Sequence, residues 1–218
     1  MRDSRKNFHT ELNDLEKEML KMGSLVGESI SKSIEALVNS ELQLANQIIK
    51  EDDIIDNYEL EIEEKCTRLI ALQQPVAIDL RKIIVISKLV TDLERVGDNA
   101  SNIAHRVKEI GNKSLIKEMQ DLPKMKDKVV EQLKNSLKAF VDMDIEKAKE
   151  VAAKDKEVNQ LDKQIKAELL EIMEKDCTTI EQVTSLMFIS RFLERIGDHA
   201  TNICERTVYM KTGKWTEL

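Results

Sequence analysis

The chain has 218 residues, of which 41% are hydrophobic and 34% are charged, a composition typical of a folded globular protein and not of a disordered one. Its net charge of −7 argues against a general affinity for nucleic-acid phosphates, and no apolar run approaches the roughly 18 residues of a transmembrane helix. Only six glycines, two prolines and 3% aromatic residues are present, so the composition favours long helices.

The cysteines and the amino-terminal segment indicate a cellular compartment. The three cysteines are widely spaced and form no CxxC pair, and an odd count without pairing suggests a reducing environment. The stretch MRDSRKNFHTELNDL is polar from its first residue and does not resemble a signal peptide. We therefore expect a cytoplasmic location.

The first half of the chain predicts three long helices. Amphipathic segments cover about residues 4–38, 40–72 and 76–110. Pro75 suits the first turn of the third helix, because its fixed φ fits there and its missing N–H costs nothing. Gly111 or Asn112 is expected to end that helix.

The second half repeats this plan. Its amphipathic segments cover about residues 114–141, 144–176 and 178–209. The stretch DMD at 142–144 offers N-cap residues for the fifth helix. Thr178 with Glu181 forms a capping-box pattern before the sixth helix.

Apolar stripes at helical spacing predict how these helices pack. In the third helix, Leu89, Leu93, Val96 and Ala100 fall on one face, and such a face must be buried on neighbouring helices. Short connections between long helices favour antiparallel packing. We predict an all-α fold of six long helices, in two tandem three-helix bundles related by an internal pseudo-twofold duplication. The predicted bundles are residues 1–111 and 112–210, followed by a tail at 211–218.

Two pairs of related segments reveal the duplication. LERVGDNASNI begins at Leu93, and LERIGDHATNI begins 100 residues later at Leu193. EDDIIDNYELEIEE from Glu51 aligns with KDKEVNQLDKQIKAE from Lys154 at an offset of 103. The chain is therefore an internally duplicated domain.

Pairs of acids four residues apart lie on one face of a helix. Asp52 and Asp56 form such a pair in the second helix, and Glu94 and Asp98 form one in the third. If the chain turns at about Gln74, residues equidistant from the turn lie side by side. The two acidic pairs are then expected to converge.

The same construction in the second half brings Asp155 and Asn159 close to Glu194 and Asp198. Carboxylates at such distances repel one another, so bound cations or the arginine after each glutamate must offset the charge. Several carboxylates on facing helices are a recurrent way to hold hard metal ions. A solvated acidic helix face that binds nothing is the alternative interpretation.

A glycine lies inside each repeated motif, at Gly97 and Gly197. Glycine in a helix interior costs roughly 1 kcal/mol relative to alanine. This cost is easier to understand if another helix backbone comes close at that point. We therefore expect close helix packing beside both acidic sets.

Three stretches together carry a family resemblance: EDDIIDNYELEIEEKCTRLIALQQPVAIDLRKI, LERVGDNASNIA and LERIGDHATNI. They resemble the PhoU family, whose members are negative regulators of phosphate uptake and of phosphate-starvation signalling. The resemblance covers nearly the whole chain, and a QPVA-x-DLR hairpin combined with two ER-x-GD motifs is specific. It implies two three-helix bundles with approximate twofold symmetry.

The resemblance also implies a metal site. Family members bind multinuclear iron, zinc, manganese or magnesium clusters at E(D)-x-x-x-D motifs on the bundle surface. The positions of this chain that match those motifs are Asp52, Asp56, Glu94, Asp98, Asp155, Glu194 and Asp198. Asn159 replaces an acid of the pattern, so the second site is expected to be weaker unless Asp162 or His199 compensates. Glu59 lies one turn beyond the first site and borders it.

The implied role is that of an adaptor. Family members contact the ATPase of the phosphate-specific ABC transporter and a membrane sensor histidine kinase, and hold both quiet when phosphate is plentiful. The resemblance implies a homodimer that reaches the membrane only through its partners, and the net charge of −7 predicts that it binds no nucleic acid. The chain shows no nucleophile motif and no phosphate-binding loop, which favours an adaptor over an enzyme. A carboxylate-bridged metalloenzyme and a purely structural helical scaffold remain alternatives.

Overall fold

The computed structural model describes residues 2–116 and 120–218, with side chains described from Phe8 onward. Its helices are α1 (Arg2–Asn39), α2 (Leu42–Gln73), α3 (Ala77–Ile110), α4 (Asp121–Asp142), α5 (Ile145–Ala153), α6 (Asp155–Lys175) and α7 (Ile180–Thr212). A single turn of 3₁₀-helix, Cys177–Thr179, precedes α7. The described residues contain no strand, so the predicted all-α fold is confirmed.

α5 and α6 follow each other as one interrupted helix, which makes six long helical segments in all. At the interruption, the N–H of Lys154 donates to Val151 O at 3.1 Å, and the N–H of Glu157 donates to Lys154 O at 3.0 Å. Hydrogen bonds between residues three apart tighten the helix locally. The predicted continuous helix at 144–176 is therefore wrong at this one point.

Two predicted helix starts need correction. α4 begins at Asp121 and not near residue 114, and Pro123 lies in its first turn, where a missing N–H is tolerated. Part of the predicted start, residues 117–119, lies outside the described residues. α3 begins at Ala77, so Pro75 precedes the helix and does not open it.

The helix caps agree with the sequence in two places and differ in one. Gly111 ends α3 with a positive φ of 66°, and the Asp144 side chain caps α5 by accepting from the N–H of Lys147. The capping box predicted at Thr178 is not formed. Asp176 accepts from the N–H of Thr178 at 2.9 Å instead, because the chain enters α7 through a 3₁₀ turn.

The helices assemble as two three-helix bundles. α1, α2 and α3 pack together in the first half, and α4, α5, α6 and α7 in the second. The halves meet where α1 contacts α4 and where α3 contacts α7, so corresponding helices pair across the pseudo-twofold axis. One continuous apolar core runs through both halves, and the predicted stripe residues Leu93 and Val96 are fully buried in it. No described helix is long and apolar enough to cross a bilayer.

Asp92 is a buried carboxylate at the contact between α3 and α7. It is only 4% exposed, and its Oδ2 accepts a hydrogen bond from Arg206 Nε at 2.7 Å. Its Oδ1 accepts from Asn202 Nδ2 at 3.4 Å and lies 3.1 Å from His199 Nδ1. A buried carboxylate is tolerated only with such partners. The two bundles are therefore joined by an ionic contact as well as by apolar packing.

The symmetry-related contact has no carboxylate. Phe192 stands 100 residues after Asp92, at the corresponding position. Arg106, the counterpart of Arg206, lies over the ring of Phe188 at 4.6 Å, and the rings of Phe188 and Phe192 stack. The interface between the bundles is therefore ionic on one side of the axis and aromatic on the other.

This asymmetry predicts that replacing Arg206 or Arg106 by alanine lowers the free energy of unfolding by different amounts. Arg206→Ala leaves the buried Asp92 without its guanidinium partner and should lower the free energy of unfolding by about 2–3 kcal/mol. Arg106→Ala removes a cation–π contact and a partly exposed ion pair with Glu109, and should cost about 1 kcal/mol or less. Urea unfolding followed by circular dichroism measures both variants. Equal losses for the two would contradict the assignment of Asp92 and Arg206 as the stronger contact.

Candidate metal centre

The first acidic cluster lies where α2 packs against α3. Its members are Asp52, Asp56 and Glu59 of α2 and Glu94 and Asp98 of α3. The two helices run antiparallel from the connection at 74–76, so acids spaced by four on one helix approach acids on the other. The members are close enough to shift one another's pKa values.

Glu94 is the half-buried centre of this cluster. Burial and, after it, the charges of Asp98, Glu59 and Asp56 raise the pKa of Glu94 from 4.5 to about 7. The carboxylate is therefore held in an environment that disfavours its ionised form. Any positive charge placed beside it would be strongly attracted.

The neighbouring acids are perturbed in the same direction. Burial raises the pKa of Asp52, and Asp98 and Asp56 raise it further, although a hydrogen bond from Ser101 lowers it. Burial raises the pKa of Asp56 as well, and Asp98 adds to the effect. Repulsion across the helix pair is thus shared by several members of the cluster.

Counter-charges are scarce around the first acidic cluster. In the described part of the chain, Asp56, Glu94 and Asp98 form no ion pair within 4.0 Å. Arg95 lowers the pKa of Glu94 only as the last of its influences, and its side chain is exposed. The cluster therefore carries negative charge that the protein itself leaves largely uncompensated.

Gly97 allows α2 to pack closely beside the acids. A Cβ at this position would lie 3.0 Å from Ile55 Cδ1, 3.1 Å from Ile55 Cγ2 and 3.5 Å from Asp52 Oδ1. The close approach expected from the sequence is present, but the nearest atoms belong to side chains and not to a helix backbone. The missing side chain of Gly97 thus allows Ile55 and Asp52 to pack against α3.

The second acidic set consists of Asp155 on α6 and Glu194 and Asp198 on α7. Asp155 Oδ2 accepts a hydrogen bond from Asn159 Nδ2 at 2.6 Å, and its Oδ1 accepts one from Gln132 Nε2 at 3.3 Å. Burial raises the pKa of Asp155, but both of these hydrogen bonds lower it. Asp155 therefore has two amide donors, whereas its counterpart Asp52 has the single hydroxyl of Ser101.

Glu194 also has a partner within the protein. Its Oε1 accepts a hydrogen bond from Arg191 Nη1. Burial raises the pKa of Glu194, with Asp198 next, and Arg191 lowers it. Its second oxygen, Oε2, is buried and has no hydrogen-bond partner among the described residues.

Two residues that might have supplemented the second site lie in other contacts. Asp162 is 5% exposed, accepts from Ser190 Oγ at 2.8 Å and pairs with Lys166 Nζ at 2.6 Å. His199 directs Nδ1 toward Asp92 at the contact between the bundles. Asp162 nonetheless borders the second acidic set, because its charge, after burial and the charge of Asp198, helps to raise the pKa of Glu194.

The side chains of the first acidic cluster have the donor atoms that a metal ion needs, but they are not yet placed around a single point. Within residues 2–116 and 120–218, no three His, Cys, Asp or Glu side chains already surround one point closely enough to hold an ion. The donor set is all oxygen, which suits hard divalent cations, and its members repel one another in the absence of positive charge. A cation would draw Asp52, Glu94 and Asp98 together and remove that repulsion.

Sequence reasoning overlooked Gln132 and Arg191, which lie against the second acidic set. Gln132 is a polar residue within the buried stripe of α4, between Val129 and Leu133, and that position was a readable signal. Arg191 lies three residues before Glu194, at a spacing that pairs side chains along a helix. The duplication drew attention to matching residues and away from these differences.

The chain is similar to known proteins along most of its length. The family model described as the PhoU domain matches the chain twice, at residues 19–107 and 122–207. A phosphate-specific transport system accessory protein PhoU homolog of Clostridium acetobutylicum is 44% identical over 216 residues, covering 99% of each chain. One from Aquifex aeolicus is 40% identical over 204 residues, covering 94% of this chain and 92% of the relative.

Solved structures agree in fold along almost the full length. The crystal structure of the phosphate transport system regulatory protein PhoU from Streptococcus pneumoniae has a TM-score of 0.91 and 35% identity, covering 97% of this chain and all of the other. The crystal structure of PhoU from Pseudomonas aeruginosa has a TM-score of 0.90 and 37% identity, covering 95% and 100%. The chain therefore belongs to the PhoU family.

Proposed function

We propose that this protein is a metal-binding regulator of phosphate homeostasis, which lowers phosphate uptake and phosphate-starvation signalling when phosphate is plentiful. The observation that carries the proposal is similarity over the whole chain to relatives named as accessory proteins of the phosphate-specific transport system. A duplicated helical bundle with a charged surface cluster suits a protein that acts by docking. Names of the relatives describe accessory and regulatory proteins, which supports a non-enzymatic role.

The proposed partners are the ATPase of the phosphate ABC transporter and a membrane sensor histidine kinase. Association with the transport system is supported by the names of the relatives, and the particular partners follow from the family resemblance. We propose that the protein works as a homodimer in the cytoplasm.

The proposed cation site is the first acidic cluster. Asp52, Asp56, Glu94 and Asp98 would hold the ion or ions, with Glu59 at the border. Support comes from the raised pKa of Glu94 and from the lack of ion pairs around Asp56 and Asp98. An iron, zinc, manganese or magnesium ion would supply positive charge and would fix the relative position of α2 and α3.

A genetic experiment tests the regulatory role. Deleting the gene in its host should switch on a phosphate-starvation reporter in phosphate-rich medium, because the repressing adaptor is gone. Wild-type protein supplied from a plasmid should restore repression, and Glu94→Ala should restore it only weakly if the metal is needed. Unchanged reporter activity in the deletion strain would contradict the proposed function.

The pH dependence of stability tests the electrostatics of the cluster without metal. Because the folded protein binds the Glu94 proton more tightly than the unfolded chain, stability should fall as the pH rises from 4.5 towards about 7. Above about pH 7, the contribution of Glu94 to the free energy of unfolding no longer changes with pH. Glu94→Gln should make this decline smaller in urea unfolding with chelator present, because other acids with raised pKa values still contribute to it. The exposed control Glu64→Gln should leave the decline unchanged.

The same variants test whether a cation removes the repulsion. Added Mn²⁺ at pH 8 should raise the Tm of the wild type, because a ligand that binds only the folded state stabilises it. The shift should be absent in Glu94→Gln and present in Glu64→Gln. A Tm shift of equal size in all three proteins would show that Mn²⁺ acts elsewhere.

A further inference from the structure

Gln132 of α4 makes the two acidic sites different. The duplication aligns it with Ser29 of α1, 103 residues earlier. Ser33 and Ser136 support this register, since they are also 103 apart, both are buried, and each hydroxyl donates to the carbonyl three residues before it. A short hydroxyl side chain in the first half is thus replaced by a long amide in the second.

The amide of Gln132 reaches from α4 into the second acidic set. The residue is 3% exposed, and its Nε2 lies 3.3 Å from both Asp155 Oδ1 and Thr201 Oγ1. The same nitrogen lies 3.5 Å from Gly197 O. An amide nitrogen carries two protons to donate, so it faces Asp155 as a positive end of a dipole.

Asn159 supplies a second amide to the same carboxylate. Its Nδ2 donates to Asp155 Oδ2 at 2.6 Å, so each oxygen of Asp155 accepts one amide hydrogen bond. At the corresponding position the first half has Asp56, an acid that adds charge. Where the first half adds a carboxylate, the second half adds a donor.

Arg191 completes the difference. It pairs with Glu194, whereas the residue 100 positions earlier is Thr91, which offers no charge to Glu94. The second acidic set therefore has three carboxylates where the first cluster has five, and Glu194, one of the three, is paired with an arginine through one of its two oxygens. Less negative charge is left for a bound ion to neutralise.

We propose that the second half of this chain holds no metal ion, because Gln132 and Asn159 give Asp155 the hydrogen-bond donors that take the place of a cation. This inference rests on the proposed function, which puts the cation at the first acidic cluster. Gln132 and Asn159 are then together the specificity-determining residues of the duplication, each donating to one oxygen of Asp155. The first half then binds a cation, and in the second half hydrogen bonds within the protein replace the cation. Asn159 alone predicts only a weaker second site.

In this structure the Gln132 amide turns its donor nitrogen, and not its oxygen, towards Asp155. Its Oε1 is buried and has no hydrogen-bond partner among the described residues. Turning the amide over would bring this acceptor against Asp155 Oδ1, and two acceptors repel unless a cation lies between them. The opposite assignment, with Gln132 as a metal ligand through Oε1, therefore makes a contrary prediction that one experiment can decide.

The experiment measures bound Mn²⁺ per chain by elemental analysis, after chelation, reloading with Mn²⁺ alone and desalting. Bound Mn²⁺ in the wild type should be lost in Glu94→Ala and unchanged in Glu194→Ala. The double variant Gln132→Ser, Asn159→Asp recreates the residues of the first half and should double the bound Mn²⁺. Adding Glu194→Ala to that double variant should return the amount to the wild-type level.

Each other outcome has a defined meaning. Loss of Mn²⁺ in Glu194→Ala, together with loss in Gln132→Ser alone, would overturn the inference and make Gln132 a ligand, while the proposed function stands. Mn²⁺ bound by the double variant but not by the wild type would overturn the first-cluster site and support the inference. No Mn²⁺ in any protein would overturn both.

Folding of the variants is checked by circular dichroism. If the buried change at Gln132 lowers helix content, Asn159→Asp alone replaces the double variant, because Asn159 is only half-buried. That single variant should still bind more Mn²⁺ than the wild type. An unchanged amount in a folded Asn159→Asp protein would overturn the inference.

Discussion

Apolar packing of α2 against α3 forces several carboxylates together, and this constraint governs the behaviour of the first acidic cluster. Ile55 packs beside Gly97, and the acids lie directly next to this contact. The helices cannot separate to relieve the repulsion without exposing the apolar stripe that Leu93 and Val96 bury. Burial of Glu94, and after it the charges of Asp98, Glu59 and Asp56, raise the pKa of Glu94 to about 7, and a bound cation would lower it again.

The two halves share one packing arrangement but differ in their electrostatics. Glu194 pairs with Arg191, whereas Glu94 has no such pair, and Asp155 accepts an amide hydrogen bond on each oxygen. The contact between the bundles diverged in the same way, with Asp92 on one side of the axis and Phe192 on the other. Both differences leave the helix packing intact, which explains why the fold remains symmetric while its chemistry does not.

Much of the fold was readable from the sequence because it depends on local pattern. The stripe that includes Leu93 and Val96 is buried as its spacing requires, and the repeated motifs fix the order of helices. The start of α4 and the tightened turn at Lys154 were missed, because both depend on backbone hydrogen bonds that no periodicity encodes. The convergence of acids followed from counting back from the hairpin, since antiparallel helices fix which residues are opposite.

The sequence pattern does not predict side-chain contacts between residues that lie far apart in the chain. Asp92 was not singled out, although it binds Arg206, because nothing local marks which acids face the other bundle. The adjacency of His199 to Asp198 predicts a supplementary ligand, yet its ring contacts Asp92. The contacts of Gln132 with Asp155 and Gly197 could be predicted only if the packing of α4 against both α6 and α7 were known.

Anomalous diffraction from crystals of the protein loaded with Mn²⁺ tests the central claim most directly. The account predicts an anomalous peak between α2 and α3, coordinated by Glu94 and Asp98, and no peak beside Asp155. Fully loaded crystals without a peak at the first acidic cluster would contradict it.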